Sequence, residues 1–238
     1  MTAQATPITS GLQLWLDAGD SSTITDSGGL HPGDVGFNGL ASQWADKSGN
    51  GRLANAPSGN RPTYNVTALN GRATIVFNTN QFFDLNTTIT TSQETMFFVT
   101  RMFDNGDNRG PWVGQKTGSN GFVNDNSRYI LFTTGGNIGE SNSAPTTDTI
   151  VTETRSSGIT TIFEDGLAVI PGVVGANGNL IVNAIAIYGH GGARTFFGEI
   201  SEILLYNRVL SSEELNAVGA FLETKYDLNT AYTPGEKG

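Results

Sequence analysis

The 238-residue chain contains no cysteine. That excludes a disulfide framework, a thiol nucleophile and a thiolate metal site. Histidine is almost missing: there are only two, His31 and His190, each near glycines. A three-histidine zinc site and a His-Glu-x-x-His helix are therefore excluded, and both histidines read as loop residues rather than bases. Basic charge is scarce, with 13 Lys plus Arg against 22 Asp plus Glu and a net charge of −9. A nucleic-acid backbone needs a basic patch to displace counterions, so no nucleic-acid partner is expected. The acidic balance favours solubility and is compatible with divalent cations and neutral sugars. No apolar run approaches the ~20 residues of a membrane helix, so no membrane insertion is expected. The start, MTAQATPITSGLQLWLDA, lacks a basic region and an apolar stretch, so no secretory signal is expected. There is no G-x-S-x-G elbow and no phosphate-binding Walker loop.

What replaces these is glycine, 31 in all, with Thr, Asn and Ser, while charged residues are only 15%. Low charge argues against a solvated disordered chain, and Thr, Val, Ile and Phe among Gly and Asn fit strands joined by tight turns. Alternation or short apolar runs predict strands at Leu12–Leu16, Ala73–Phe77, Thr95–Met102, Arg128–Phe132, Leu180–Tyr188 and Thr195–Tyr206. Ile159–Phe163 and Leu167–Ile170 flank Glu164-Asp165-Gly166, and Asp-Gly there predicts a hairpin with positive φ at both turn residues. A single helix is expected near the end. Ser211 and Glu214 form a capping box, and Leu215, Val218, Leu222 and Tyr226 recur at helical spacing. No internal repeat or linker is visible. The expected fold is all-β, two antiparallel sheets in a sandwich with one short C-terminal helix.

Few residues stand out as chemistry. A glycosidase needs two carboxylates facing one cleft. Glu199 and Glu202 lie three apart in a strand, and strict alternation would send them to opposite faces. In the stretch Trp44-Ala-Asp-Lys-Ser-Gly-Asn-Gly51, Asp46, Ser48 and Asn50 put oxygen atoms at alternate positions before a glycine. This is like the first half of a calcium loop, without the bidentate Glu at its far end. Calcium is one reading; the other is that Asp46 and Ser48 make turns that bond their own backbone. Asp104, Asn105, Asp107 and Asn108 form a second oxygen-rich loop. Trp112 and Tyr129, with Phe122, are the aromatics nominated for stacking on a sugar ring, and each has a core reading beside it.

Three segments together carry a resemblance: Leu12-Gln-Leu-Trp-Leu-Asp-Ala18, Trp44 to Gly51, and Phe197-Gly-Glu-Ile-Ser-Glu-Ile-Leu-Leu-Tyr-Asn-Arg208 running into Leu210-Ser-Ser-Glu-Glu-Leu215. From about Gly11 to Leu228 the chain resembles the laminin-G-like branch of the concanavalin-A-like lectin/glucanase superfamily. The resemblance implies a jelly-roll sandwich, and binding or structural roles more often than catalysis. Some members bind calcium at the loop edge, which the Asp46, Ser48, Asn50 pattern matches in part. Laminarinase-type members carry a Glu-x-Asp-x-x-Glu strand, which this chain lacks, so their catalytic roles do not carry over. The expected organisation is an N-terminal arm (1–10), a laminin-G-like domain (11–228) and a C-terminal tail (229–238).

A lectin-like sandwich usually faces outward, yet this one shows neither signal nor disulfide. A virion protein assembles in a cytoplasm and leaves by lysis, which satisfies both facts. The leading expectation is thus a non-enzymatic virion-surface protein, a bacteriophage capsid decoration or a tail or fibre component. Its partners would be other virion proteins and host-surface glycans, and a homo-oligomer is expected. The alternative is a stand-alone carbohydrate-binding module of a cell-surface or exported protein, followed by a glycoside hydrolase or lyase.

Overall fold

The computed structural model describes residues 6–103, 110–125, 127–143, 145–189 and 194–232. Among them two large antiparallel sheets face each other. The first has the spatial order Leu167–Val174, Ile159–Glu164, Thr149–Ser156, Glu94–Met102, Gly198–Tyr206, Arg72–Phe77 and Thr63–Leu69. Leu12–Asp17 joins it along the far half of Gly198–Tyr206, beyond the residues that pair with Arg72–Phe77. The second has the order Gly136–Ser141, Arg128–Thr133, Gly121–Asn124, Gly110–Gly114, Leu180–Ile185, Phe83–Thr91, Leu53–Asn55, Gln43–Ala45 and Ile24–Thr25. A short ribbon, Ile187–Tyr188 with Arg194–Thr195, stands apart. The expected all-β sandwich of two antiparallel sheets with one C-terminal helix is therefore the fold.

Strand alternation explains the layers. In Glu94–Met102, Met96 and Phe98 enter the core between the sheets, while Phe97 and Val99 face outward. That outer face is covered by the helix Ser212–Tyr226, whose Val218, Leu222 and Tyr226 bury against Phe97, Val99 and Leu204. Ser211 caps the helix: its hydroxyl accepts the Glu214 N–H, and the Glu214 carboxylate accepts the Ser211 N–H. Glu214 also holds Arg208 through both oxygens, at 2.6 and 2.7 Å. The hairpin turn is as expected, with φ 49° at Asp165 and 83° at Gly166.

Part of the segment expected as a C-terminal tail is docked. Tyr232 is buried on the helix, its hydroxyl 2.7 Å from Thr152 Oγ1. The ring lies so close to Gly219 that a Cβ there would come within 2.2 Å of it. Glycine inside a helix costs about 1 kcal/mol relative to alanine, and here it makes room for that ring.

One predicted strand divides. Leu180–Tyr188 breaks at Ala186, which adopts φ 62°. The other long one begins at Gly198, leaving Arg194–Thr195 to the small ribbon.

Candidate functional site

The stretch Trp44 to Gly51 straps the free edge of Leu12–Asp17. Asp46 Oδ1 accepts the N–H groups of Trp15 and Ser48, both at 2.8 Å, and Oδ2 accepts the Ser48 hydroxyl at 2.7 Å. Lys47 N–H donates to the Trp15 carbonyl. The Asn50 amide donates to the carbonyls of Leu12 and Gln13. An exposed strand edge invites pairing with other chains, and these bonds occupy it. Asp46, Ser48 and Asn50, the residues nominated for calcium, are engaged with backbone groups and with one another: the Ser48 hydroxyl donates to Asp46, and the Asn50 amide donates to the Ser48 hydroxyl at 2.8 Å. Among the described residues no group of three or more acidic or histidine side chains is arranged to hold a metal.

The strap delivers Lys47 to a groove of about 350 Å³. Trp15, Phe221 and Thr6 line its walls, with Asp17, Asp20, Ser21, Lys47 and Lys225. Its charges form an alternating chain. Lys47 Nζ lies 2.8 Å from both Asp20 and Asp17, and Lys225 Nζ lies 2.6 Å from both Asp17 and Glu202. Glu202 also accepts the Trp15 indole N–H at 2.7 Å. The Lys47 ammonium stands 4.4 Å from the centre of the Trp15 ring, a cation–π contact.

Burial and bonding pull these groups in opposite directions. Burial raises the Glu202 carboxyl above its ordinary value, and the Asp17 charge adds to this against the pull of Lys225. Burial disfavours the Lys47 ammonium, but its bonds to Asp17 and Asp20 outweigh that and leave its pKa raised. Asp20 is pushed up by burial and brought below its ordinary value by Lys47 and Ser22. Each ammonium has three N–H donors and two carboxylate partners here, so the walls are fixed while donor capacity remains.

Glu202, buried behind the groove wall, reaches Lys225 and the Trp15 indole because of a β-bulge. Opposite Glu94–Met102 the register runs from Ile200↔Thr100 directly to Glu202↔Val99, leaving Ser201 as the extra residue. Ile200 and Ile203 both enter the inter-sheet core although they are three apart. Glu199 and Glu202 consequently share the outer face, which corrects the expectation from simple alternation. They serve different partners: Glu199 bonds Arg101 at 2.7 Å.

Trp112 and Tyr129 are also corrected. Both are fully buried, stacked with Phe122 at centroid distances of 5.1 to 5.8 Å, and present no ring to a ligand. Trp112 donates its indole N–H to Thr100, and Tyr129 its hydroxyl to Glu164. His31 sits in a loop with Nδ1 2.7 Å from the Ile24 carbonyl. His190 and the loop holding Asp104, Asn105, Asp107 and Asn108 lie outside the described residues.

No protein-family model and no curated protein matches the chain by sequence. Solved structures do match it by shape. Trypanosoma rangeli sialidase in complex with sialic acid matches at a TM-score of 0.55 and 14% identity, over 94% of this chain and 35% of the sialidase. The binding domain of Paraclostridial mosquitocidal protein 1 matches at 0.53 and 14%, over 89% of this chain and 52% of that domain. The receptor-binding domain of botulinum neurotoxin type G matches at 0.50 and 16%, over 92% of this chain and 51% of that domain. The chain thus spans about a third of the sialidase and half of each toxin domain. The expectation of a non-enzymatic protein is corrected by this comparison, since an enzyme, the sialidase, stands among the matches; at such identity the likeness is one of fold. The chain is a β-sandwich similar in shape to parts of a sialidase and of two toxin binding domains.

Proposed function

We propose that the chain is a glycan-binding module with a lectin-like sandwich fold, resembling the laminin-G-like branch, and that its ligand sits in the groove beside Trp15. The observation that carries this is the groove itself. Small-ligand sites are clefts of roughly 300 to 1,000 Å³, and this one has that size, with a mostly polar lining around two aromatic side chains, as suits a hydroxyl-rich ligand. The salt-bridge chain holds its side chains in place before a ligand arrives, which spares the entropy of ordering them on binding. The binding domain of mosquitocidal protein 1 and the receptor-binding domain of botulinum neurotoxin type G share the fold, and this supports a recognition role.

A glycan array followed by calorimetry on the best binder tests the reading. Saturable binding is expected, weakened at least about 10-fold by Trp15→Ala and by Asp20→Ala, which corresponds to about 1.4 kcal/mol or more. Silence across the array, or affinity unchanged in both variants, would remove the proposal. Displayed on a virion, such a module would serve host attachment; its detection in purified particles tests that setting.

A further inference from the structure

We infer that the groove selects neutral, hydroxyl-rich glycans and discriminates against acidic ones; this rests on the glycan-binding reading above. The argument is one of charge and hydrogen-bond capacity. The groove holds two ammoniums, Lys47 and Lys225, but three carboxylates bind them: Asp20, Asp17 and Glu202. Neither lysine is an unneutralised cation waiting for an anion. Asp17 touches both lysines, so an incoming carboxylate or sulfate would have to approach a lysine beside an acid that already holds it. The rest of the molecule does not offset this, because the chain carries a net charge of −9. Like charges brought together in an interface cost affinity and suppress the wrong partner.

Hydrogen bonding points the same way. A sugar hydroxyl is donor and acceptor at once, whereas an ionised carboxylate only accepts. The alternating chain sets an ammonium donor next to a carboxylate acceptor at Lys47 with Asp20, the more open end of the groove, where the Asp20 side chain is 35% exposed. Neighbouring hydroxyls of a neutral sugar can use both halves of such a pair. Ser21 and Thr6, with one hydroxyl each, extend the set, and the Trp15 and Phe221 walls supply apolar surface for a ring.

The test is an array on which neutral gluco-, galacto- and manno-oligosaccharides stand beside the same chains ending in sialic or uronic acid. The full chain is used, and the leading matched pair is then measured by calorimetry at 50 and 500 mM NaCl. The neutral member is expected to bind at least about 10-fold tighter, with an affinity that changes less than about 3-fold between the two salts, because no ligand charge is there to be screened. An acidic member that binds as tightly or tighter, and weakens with salt, would overturn the inference while leaving the glycan-binding reading intact. If neither class binds, the functional reading falls and this inference falls with it.

Discussion

Glu153 is buried between the sheets with no partner for either carboxyl oxygen among the described residues. It lies on Thr149–Ser156, two residues from Arg155, on the side of the strand where Val151 enters the core. Arg155 is already committed. Its Nε and Nη2 hold Glu94 at 2.6 and 2.7 Å, and Nη1 faces the carbonyls of Ser92, Ala176 and Gly178 at 2.9 to 3.2 Å. A guanidinium does not give up its proton, so one of the two carboxylates balances it and the other keeps a proton. Burial lifts the Glu94 carboxyl to about 7 against the pull of its bidentate bond to Arg155, a bond Glu153 lacks, so Glu94 is the first of the two to ionise. Burial, and then the charge of Glu94, push Glu153 well above the ordinary carboxyl range.

The sign of the consequence follows from proton counting. Unfolded, Glu153 releases its proton around pH 4.3; folded, it retains it to much higher pH. Between those limits the folded state binds more protons, so stability falls as pH rises, by up to about 1.4 kcal/mol per pH unit for this group. Glu153→Gln abolishes that dependence without changing the shape of the side chain. Urea unfolding followed by tryptophan fluorescence at pH 5, 6 and 7 should therefore show the variant gaining about 2 to 3 kcal/mol on the wild type across the series. Glu153→Leu, which removes a buried polar group that has no partner, should be more stable than wild type at pH 7 by about 1 to 3 kcal/mol. Parallel pH curves for wild type and Glu153→Gln would refute the reasoning, because they would mean that Glu153 is ionised in the folded protein and has found a partner.

Two further outcomes check the remaining frame. Arg155→Met should cost about 3 to 5 kcal/mol in the same unfolding assay, since it leaves Glu94 buried and uncompensated; a loss below 1 kcal/mol would mean that water reaches the pair. Asp46→Ala should lower stability by about 1 to 3 kcal/mol by freeing the Trp15 and Ser48 N–H groups, and calcium or a chelator should leave the melting temperature of the wild type unchanged; a calcium-dependent rise in melting temperature that Asp46→Ala removes would establish the calcium reading instead.

Much of the frame is legible locally. The capping box at Ser211 and Glu214 and the Asp165-Gly166 turn are signals contained in a few residues, and both form as their chemistry dictates. Strands with apolar alternation, such as Leu12–Asp17 and Arg72–Phe77, are visible for the same reason. Phe83–Thr91, with four Thr and one Asn among its nine residues, is not, because its polarity belongs to a strand with one exposed face. The aromatic signal misleads in the opposite way. Trp112 and Tyr129 look like sugar platforms only while their neighbours are unknown; a strand pairing places Phe122 and Val113 side by side and closes the stack.

The groove was hidden because its members have no local relation to one another. Lys225 sits in the last turn of the helix, where a cation is already favoured by the helix dipole. Nothing around it in the chain announces Asp17 or Glu202. Lys47 lies inside the stretch most open to a calcium reading, yet it is the one side chain there whose charge excludes it from ligating a cation. Glu202 is placed by the bulge at Ser201. The bulge falls where Gly198–Tyr206 exchanges its neighbour Arg72–Phe77 for Leu12–Asp17, and the Ser201 carbonyl is taken up by the Ala18 N–H and the Tyr226 hydroxyl. Without the extra residue Glu202 would point between the sheets, Lys225 would lose a partner, and Trp15 would lose the acceptor of its indole N–H. The groove is thus a product of topology: a change of strand neighbours produces the bulge, the bulge turns an acid outward, and the acid fixes the lysine and the tryptophan that shape the site.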